Sequence, residues 1–341
     1  MRLPGIAFGP TFNLPVLRRM LSAHVLFLFA LGCSAVSVAS ANPAAPITIA
    51  TGTGLPSTVI FVAEELGYFA KEGLNVRIEN CVAAFRCIAS MLDGKAQFSS
   101  AGDLAIMFNS VERKDFVILA TYSSSPSILK LITRKSAHIS KAQDLVGKRV
   151  GIIGKSASHY FLDNFLLFEG VDPKRVEHVP LEVEDMPAAL AGGTVDALST
   201  FDSLISRQRA ALGNDAFDIV VPSYNLSTHL VALRKTVTQS HADTVKLLRA
   251  MEKAVQFIAS EPLKAKAILA KHSGMDRAAI DSLWAGSQFK LELDPSLLVT
   301  LNSAARWAKN ENLISDTQFP DFSSFIYPEP LNTAKSKGAP K

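Results

Sequence analysis

The sequence predicts an α/β protein of two lobes joined by two chain crossings, with a ligand cleft between the lobes. Three observations lead there. Strands and helices alternate from residue 47 to about 121, and again from 128 to 198. Polar, turn-rich breaks at Ser123-Ser124-Ser125-Pro126-Ser127 and Pro222-Ser223-Tyr224-Asn225 bracket the second run, as an inserted domain requires. The 341 residues, 48% apolar and 19% charged, suffice for two cores. Residues 47–124 plus 225–330 are expected to form the first lobe and 126–222 the second, with 331–341 a flexible polar tail.

The elements follow in order. Ile47 to Ala50 is an apolar strand running into the glycine loop Thr51 to Pro56. Ser57 caps a helix over about 57–66, and Gly67 ends it, because glycine tolerates the left-handed conformation that closes a helix. Gly73 precedes a strand over 74–78, completing a strand–helix–strand unit. Next come a helix over 83–92, a short strand at 97–99, a helix opened by Ser100 to Asp103, and the buried strand Phe116 to Thr121. The second run gives strands over 128–133, 149–153, 176–179 and 195–198, with helices over 159–168 and 186–191. Beyond Asn225 the apolar spacing is helical, over 242–260, 263–271, 277–283 and 295–311. Residues 319–327 read as a closing segment on the surface. Such alternation implies largely parallel sheets covered by helices, with ligands at strand carboxyl ends beside helix N-termini.

The N-terminus reads as an export leader. Arg18-Arg19 precede an apolar run from Met20 to about Val38, and Ala39-Ser40-Ala41 has the form of a cleavage site, which assigns residues 1–41 to a signal peptide. Ser22, His24, Gly32 and Ser34 interrupt the run and no charge stops it afterwards, which argues against a membrane anchor. Ala30-Leu31-Gly32-Cys33 leaves a second processing route open, lipidation at Cys33. The net charge of +4 is mostly the leader's: taking its three arginines from 35 basic residues leaves 32 against 31 acidic. A near-neutral mature chain has no basic surplus for nucleic-acid phosphates.

Besides Cys33 there are two cysteines, Cys81 and Cys87. In an oxidising compartment a lone pair is bridged as a rule. Six positions along one helix separate Cα atoms by about 9 Å, too far for a disulfide, so Cys81 is expected on the loop before the helix, folded back onto Cys87. Two reduced thiols and half a metal site are the alternatives. No neighbouring histidine or acid cluster completes a metal geometry, and no metal is expected.

Four motifs stand in order: Ala63 to Val76 (AEELGYFAKEGLNV), Met91 to Phe98 (MLDGKAQF), Asp144 to Gly151 (DLVGKRVG) and Ala189 to Ala197 (ALAGGTVDA). Together they resemble, over about residues 47–260, the ABC-importer binding proteins that include taurine-, sulfonate- and nitrate-binding proteins and the NMT1-like pyrimidine-binding proteins. The resemblance implies a type II periplasmic binding fold with a two-strand hinge. It also implies a periplasmic, monomeric, non-catalytic protein that needs no cofactor and hands a small polar or anionic solute (a sulfonate, nitrate, carboxylate or pyrimidine) to a membrane permease. Two departures stand out. Gln97 occupies a position where the family has Asp, and Phe201-Asp202-Ser203 replaces an aromatic–acid–proline run that contacts ligand.

Candidate ligand contacts are the strand-end loops: Thr53, Leu55, Ser57, Ser100 and Asp103 on the first lobe, Ser123 and Ser124 at the hinge, and Ser156, Ser158, His159, Phe201 and Asp202 on the second. Hydroxyls beside helix N-termini favour an anionic or polar ligand, although each taken singly reads as a plain helix cap. Asp103 points instead to a ligand amine, which an amino-sulfonate or aminopyrimidine would offer. A receptor reporting to a signalling partner shares all these features. Gly52 to Ser57 approaches a dinucleotide fingerprint, but Ser57 replaces its last glycine and Pro56 stiffens the loop, which disfavours an NAD-dependent oxidoreductase. No Gly-x-Ser-x-Gly elbow or His-Glu-x-x-His motif supports a hydrolase.

Overall fold

β1 (Ile47–Thr51) carries the chain through a 3-10 turn at Leu55–Ser57 into α1 (Thr58–Glu65), and α2 (Tyr68–Lys71) precedes β2 (Val76–Asn80). Gly67 lies between the two helices at φ 65°, the left-handed turn expected of it. α3 (Ala84–Leu92), β3 (Phe98–Gly102), α4 (Asp103–Glu112) and β4 (Phe116–Ser125) complete this stretch. The second contains β5 (Leu129–Arg134), β6 (Arg149–Ile152), α5 (Ala157–Phe168), β7 (Glu177–Pro180), α6 (Met186–Ala191), β8 (Ala197–Phe201), α7 (Asp202–Leu212) and β9 (Ala216–Ile219). The chain returns along β10 (Leu226–Leu233) and continues through α8 (Arg234–Gln239), α9 (His241–Ser260), α10 (Pro262–Ser273), α11 (Arg277–Trp284), β11 (Gln288–Glu292), α12 (Ser296–Asn310) and α13 (Glu329–Ser336). This computed structural model describes residues 46–81, 84–221, 224–315 and 319–336. The expected leader, Cys33, Pro222-Ser223 and residues 337–341 lie outside them.

The strands form two sheets, ordered β11-β4-β10-β3-β1-β2 and β7-β6-β8-β5-β9. β1 runs parallel to β2 and β3, and β6 parallel to β7 and β8. The expectation of largely parallel sheets fails elsewhere. β10 is antiparallel to β3 and β4, β11 to β4, and β5 to β8 and β9. The cause is the connection between the sheets. β4 leads out of the first sheet at Ser125 and β10 leads back into it at Leu226, so the pair must run in opposite directions. Their junctions with β5 and β9 are the two crossings of the hinge.

Ser123 to Ser125, read as a break, are the last residues of β4, paired with Leu226 to Thr228 of β10. Their polarity marks a strand at a crossing: Ser125 Oγ accepts bonds from Ser127 N and Ser287 Oγ. Strands β10 and β11 interrupt the region expected to be mostly helical. Phe322 and Phe325, expected near the surface, are buried, with Phe325 against Phe116. Residues 331–336, expected to fray, belong to α13, which buries Leu331 and Ala334 against the cluster containing α9. Leu331 and Ala334, three residues apart on one face of the helix, bury against that cluster despite the polar composition of the segment.

Helices cover the sheets. The 20-residue α9 buries Leu247, Leu248, Met251 and Ala254 on one stripe. β4 is buried on both faces, hence its continuous apolar run. A Cβ on Gly151 in β6 would stand 2.5 Å from Leu198 Cδ2 and 2.8 Å from Leu181 Cδ1, so this motif glycine admits close packing. Cys81, on the loop after β2, is bridged to Cys87 in α3 across a Cα–Cα distance of 5.6 Å, as the spacing argument required. Among the described residues no helix is long and apolar enough to cross a membrane.

Candidate functional site

Loops from both sheets enclose a cavity of about 90 Å³. The first lobe contributes Gly52, Thr53, Gly54, Pro56 and Ser57 after β1, Ser100 and Gly102 of β3, Leu104 and Ala105 of α4, and Leu226 and Thr228 of β10. The second contributes Ile128, Lys155, Ser156 and Ala157 before and within α5, and Phe201, Asp202, Ser203 and Leu204 at the start of α7. The N-terminal turns of α4, α5 and α7 and the turn leading into α1 therefore all border one space. Each supplies unpaired N–H groups and partial positive charge. A wider cleft of about 700 Å³ shares Thr53, Asp202 and Ser203 with this cavity, so Asp202 stands at their boundary.

The first-lobe wall is built on a chain of hydroxyls. Ser57 Oγ lies 2.8 Å from Thr51 Oγ1, which lies 2.7 Å from Ser100 Oγ, which lies 2.5 Å from Tyr122 Oη. Tyr122 is fully buried, and burial raises its pKa to about 12 against the hydrogen bonds from Ser100 and Thr51. The phenol therefore keeps its proton at neutral pH. Its shortest contact is Ser100 Oγ, with Thr51 Oγ1 also beside it, so that proton points at Ser100, because a buried donor left unpaired costs about 1–3 kcal/mol. Each hydroxyl has one proton, so the chain runs outward and leaves the proton of Ser57 free to donate into the cavity.

The second-lobe wall differs. Ser156 caps α5: its Oγ accepts from Ser158 N at 3.2 Å and donates to Ile153 O at 2.7 Å. Ser158 Oγ accepts from Ile153 N at 3.0 Å. Both hydroxyls are committed to the fold, and the donors left are backbone N–H groups, the Ser203 hydroxyl and the exposed Lys155, whose φ is 52°. Asp202 Oδ2 is buried without a hydrogen-bond partner. Burial pushes this carboxyl up to about 7 against the hydrogen bonds of nearby N–H groups and the charge of Lys130. It faces the other lobe: a Cβ on Gly54 would lie 3.6 Å from Asp202 Oδ2.

Thr53, Ser57, Ser100, Ser156, Phe201 and Asp202 thus come together around the cavity. The remaining candidates do not border it. Leu55 is buried among Phe61, Leu269, Ile280 and Leu283, the apolar anchor of its loop. Asp103 accepts from Ser227 N at 3.2 Å and pairs with His229 Nε2 at 2.9 Å, so its carboxylate is consumed inside the lobe. Ser123, Ser124 and Ser158 serve the hinge and the α5 cap. His159 lies on the far side of the first turn of α5, against Trp307 and His178. Sequence reasoning missed Lys155, Ser203 and Thr228. Lys155 and Ser203 adjoin named candidates, whereas Thr228 was hidden because β10 was not anticipated.

Polar contacts tie the lobes together beside the cavity. Arg86 of α3 reaches Glu184 at 3.0 and 3.1 Å and Glu182 at 3.5 Å. Trp307 of α12 donates its Nε1–H to Asp163 Oδ2 of α5 at 2.8 Å. Tyr224, on the second crossing, packs on Tyr160 and Phe161.

A family model described as NMT1/THI5 like matches residues 56–265, more than half of the chain. The chain belongs to the NMT1/THI5-like family. Among curated relatives, the taurine-binding periplasmic protein of Escherichia coli K12 is 27% identical over 136 residues, 40% of this chain and 42% of the relative, so the match spans less than half of that protein. Among solved structures, the alkanesulfonate-binding protein SsuA of Xanthomonas axonopodis pv. citri, bound to MOPS, superposes with TM-score 0.70 at 15% identity, covering 83% of this chain and 98% of that one. The aliphatic sulphonate-binding SsuA of Escherichia coli gives 0.68 at 18%, covering 83% and 97%. The desulfurization enzyme DszB gives 0.63 at 15%, covering 86% and 99%. The chain thus shares its fold with sulfonate-binding proteins and with a desulfurization enzyme, and fold alone does not assign an activity.

Proposed function

We propose that this protein is the solute-capturing subunit of an ABC importer, exported to the periplasm, and that its ligand is a small sulfonate or similar anion that also carries a hydrogen-bond donor, as an amino-sulfonate does. The observation that carries this reading is the pairing, in one cavity, of converging helix N-termini with the unpartnered buried oxygen of Asp202. The N-termini, Ser57 and Lys155 suit an anionic group. Asp202 asks for a donor, the part that Asp103 was expected to play.

Size supports the same class. At about 10–15 Å³ per water, 90 Å³ accommodates roughly six to nine water-sized groups. A two-carbon amino-sulfonate fits within that range, and a dinucleotide does not. Among the described residues no histidine or cysteine lines the cavity, and the hydroxyls of Ser57, Ser100 and Ser156 are engaged with other protein groups, which supports capture without turnover. Ligand contacts shared between lobes would favour the closed arrangement that docks on a membrane permease, the protein acting as a monomer.

A thermal-shift screen of the mature protein tests the reading, with amino-sulfonates, alkanesulfonates, nitrate, aromatic carboxylates, aminopyrimidines and NAD. A ligand at 100 times its dissociation constant stabilises by about 2.7 kcal/mol. Stabilisation by an amino-sulfonate above the matching alkanesulfonate is expected. Stabilisation by NAD alone, or turnover of a sulfur substrate, would overturn the reading.

A further inference from the structure

We propose that His159, Asp163 and His178 form a binding site for a zinc-class divalent ion at the junction of α5, β7 and α12, apart from the ligand cavity. His159 and Asp163 lie one turn apart on α5, and His178 faces them from β7. One ligand atom from each of the three falls within 4.8 Å of the others. Tetrahedral zinc with ligands at about 2.0–2.1 Å places neighbouring ligand atoms about 3.3 Å apart. The two rings approach different oxygens of one carboxylate, 2.7 Å from His178 Nε2 to Asp163 Oδ1 and 3.7 Å from His159 Nε2 to Asp163 Oδ2, so a small shift of the His159 ring would bring all three donors to one ion.

The hydrogen bonds around His178 and Asp163 suit metal ligands. His178 Nδ1 lies 3.1 Å from Val176 O, an acceptor, which fixes the ring proton on Nδ1. The lone pair of Nε2 then faces a carboxylate oxygen at 2.7 Å, an arrangement that requires a positive occupant, either a second ring proton or a metal ion. Asp163 is 1% exposed, and Trp307 Nε1–H supports its other oxygen at 2.8 Å. His159 is 9% exposed, yet its Nδ1 has no partner and its Nε2 stands beyond hydrogen-bond range of Asp163. Two imidazoles and one carboxylate suit zinc and its neighbours rather than magnesium or calcium. The sequence expectation of no metal missed the site because His178 lies on a different element from His159 and Asp163.

The ion would staple the α5 helix, whose first turn borders the ligand cavity, to β7, and through Asp163 and Trp307 to the other lobe. Titration of the EDTA-stripped mature protein with zinc chloride, followed by calorimetry, is expected to show one ion per chain at micromolar or tighter affinity, with no response to calcium. His159→Gln and His178→Gln should each weaken binding at least tenfold, Trp307→Phe by about 10–100-fold as for a supporting residue, and the distant His241→Gln not at all. Folding of each variant is checked by metal-free circular dichroism. Cobalt added to the unmutated protein gives a reading independent of variants: visible absorption of a low-symmetry four- or five-coordinate ion is expected. Absence of saturable zinc binding, a purely six-coordinate cobalt spectrum, or unchanged affinity in both histidine variants would overturn the proposal and leave the proton as the occupant.

Discussion

The two walls of the cavity come from the same kind of element, a strand end leading into a helix, yet they are finished differently. The first-lobe wall is chemically closed: the Tyr122–Ser100–Thr51–Ser57 chain satisfies itself and leaves one outward proton. The second-lobe wall spends Ser156 and Ser158 on the α5 cap and leaves an acceptor, Asp202 Oδ2, without a partner. A ligand that satisfies both walls must accept from one and donate to the other. Shape alone would admit any compact anion, whereas this asymmetry selects one with a donor on the side of Asp202.

The largest expected effect therefore belongs to Asp202. Asp202→Asn should weaken an amino-sulfonate by about 10–100-fold, the worth of a hydrogen bond to a charged group at about 1.5–3 kcal/mol, and leave the alkanesulfonate of equal length nearly unchanged. Equal losses for both ligands, by calorimetry, would break the comparison between the walls.

The same residue predicts a pH dependence. Its folded pKa, about 7, is raised above the ordinary 3.8, so its contribution to stability is fully present below the ordinary value and is lost as pH rises through 7. The melting temperature of Asp202→Asn minus that of the unmutated protein should grow between pH 5 and pH 8, toward an effect on the order of 3 kcal/mol. A cationic ligand would draw the carboxyl back to its ionised form, so binding near pH 7 should release a proton to the buffer. A flat difference in melting temperature across that range would count against the buried, unpartnered carboxyl.

The four motifs were legible in the sequence because they are set by backbone demands: Gly67 needs a left-handed turn, and Gly151 needs room that a Cβ would take from Leu198. The disulfide was legible because helix geometry leaves Cys81 one place to be. The antiparallel strands were not. β10 reads Leu-Ser-Thr-His-Leu-Val-Ala-Leu, and its polar half pairs with the serines of β4, so only the short apolar run Leu230-Val231-Ala232-Leu233 marks it as a strand. The roles of the aspartates were also hidden. Asp103 and Asp202 both open helices after a strand, and only the position of His229 on the unanticipated β10 shows that the first is occupied and the second open.

The Ser57 end of the comparison gives a smaller effect. Tyr122→Phe removes the group that orients the hydroxyl chain but keeps its ring in the core. Ser100 can then turn its proton inward, and Ser57 loses its fixed role as donor. Affinity should fall by about 3–10-fold for amino-sulfonate and alkanesulfonate alike, since both place their anion on this wall, at roughly 1 kcal/mol for a neutral hydrogen bond. The contrast with Asp202→Asn, which discriminates between those ligands, is the sharper test: if Tyr122→Phe also separated them, the anion would not rest on the first-lobe wall.

The smallest effect should come from Ser156→Ala. It removes the α5 cap, worth about 1 kcal/mol of stability in comparable helices, without removing the backbone N–H groups that face the cavity. The melting temperature should drop by a few degrees at most, and affinity should change less than in the other variants. A loss of binding as large as that of Asp202→Asn would mean that the Ser156 hydroxyl leaves its cap when ligand arrives. The second-lobe wall would then add a hydroxyl donor to its backbone N–H groups and Lys155, and the asymmetry between the walls would not survive ligand binding.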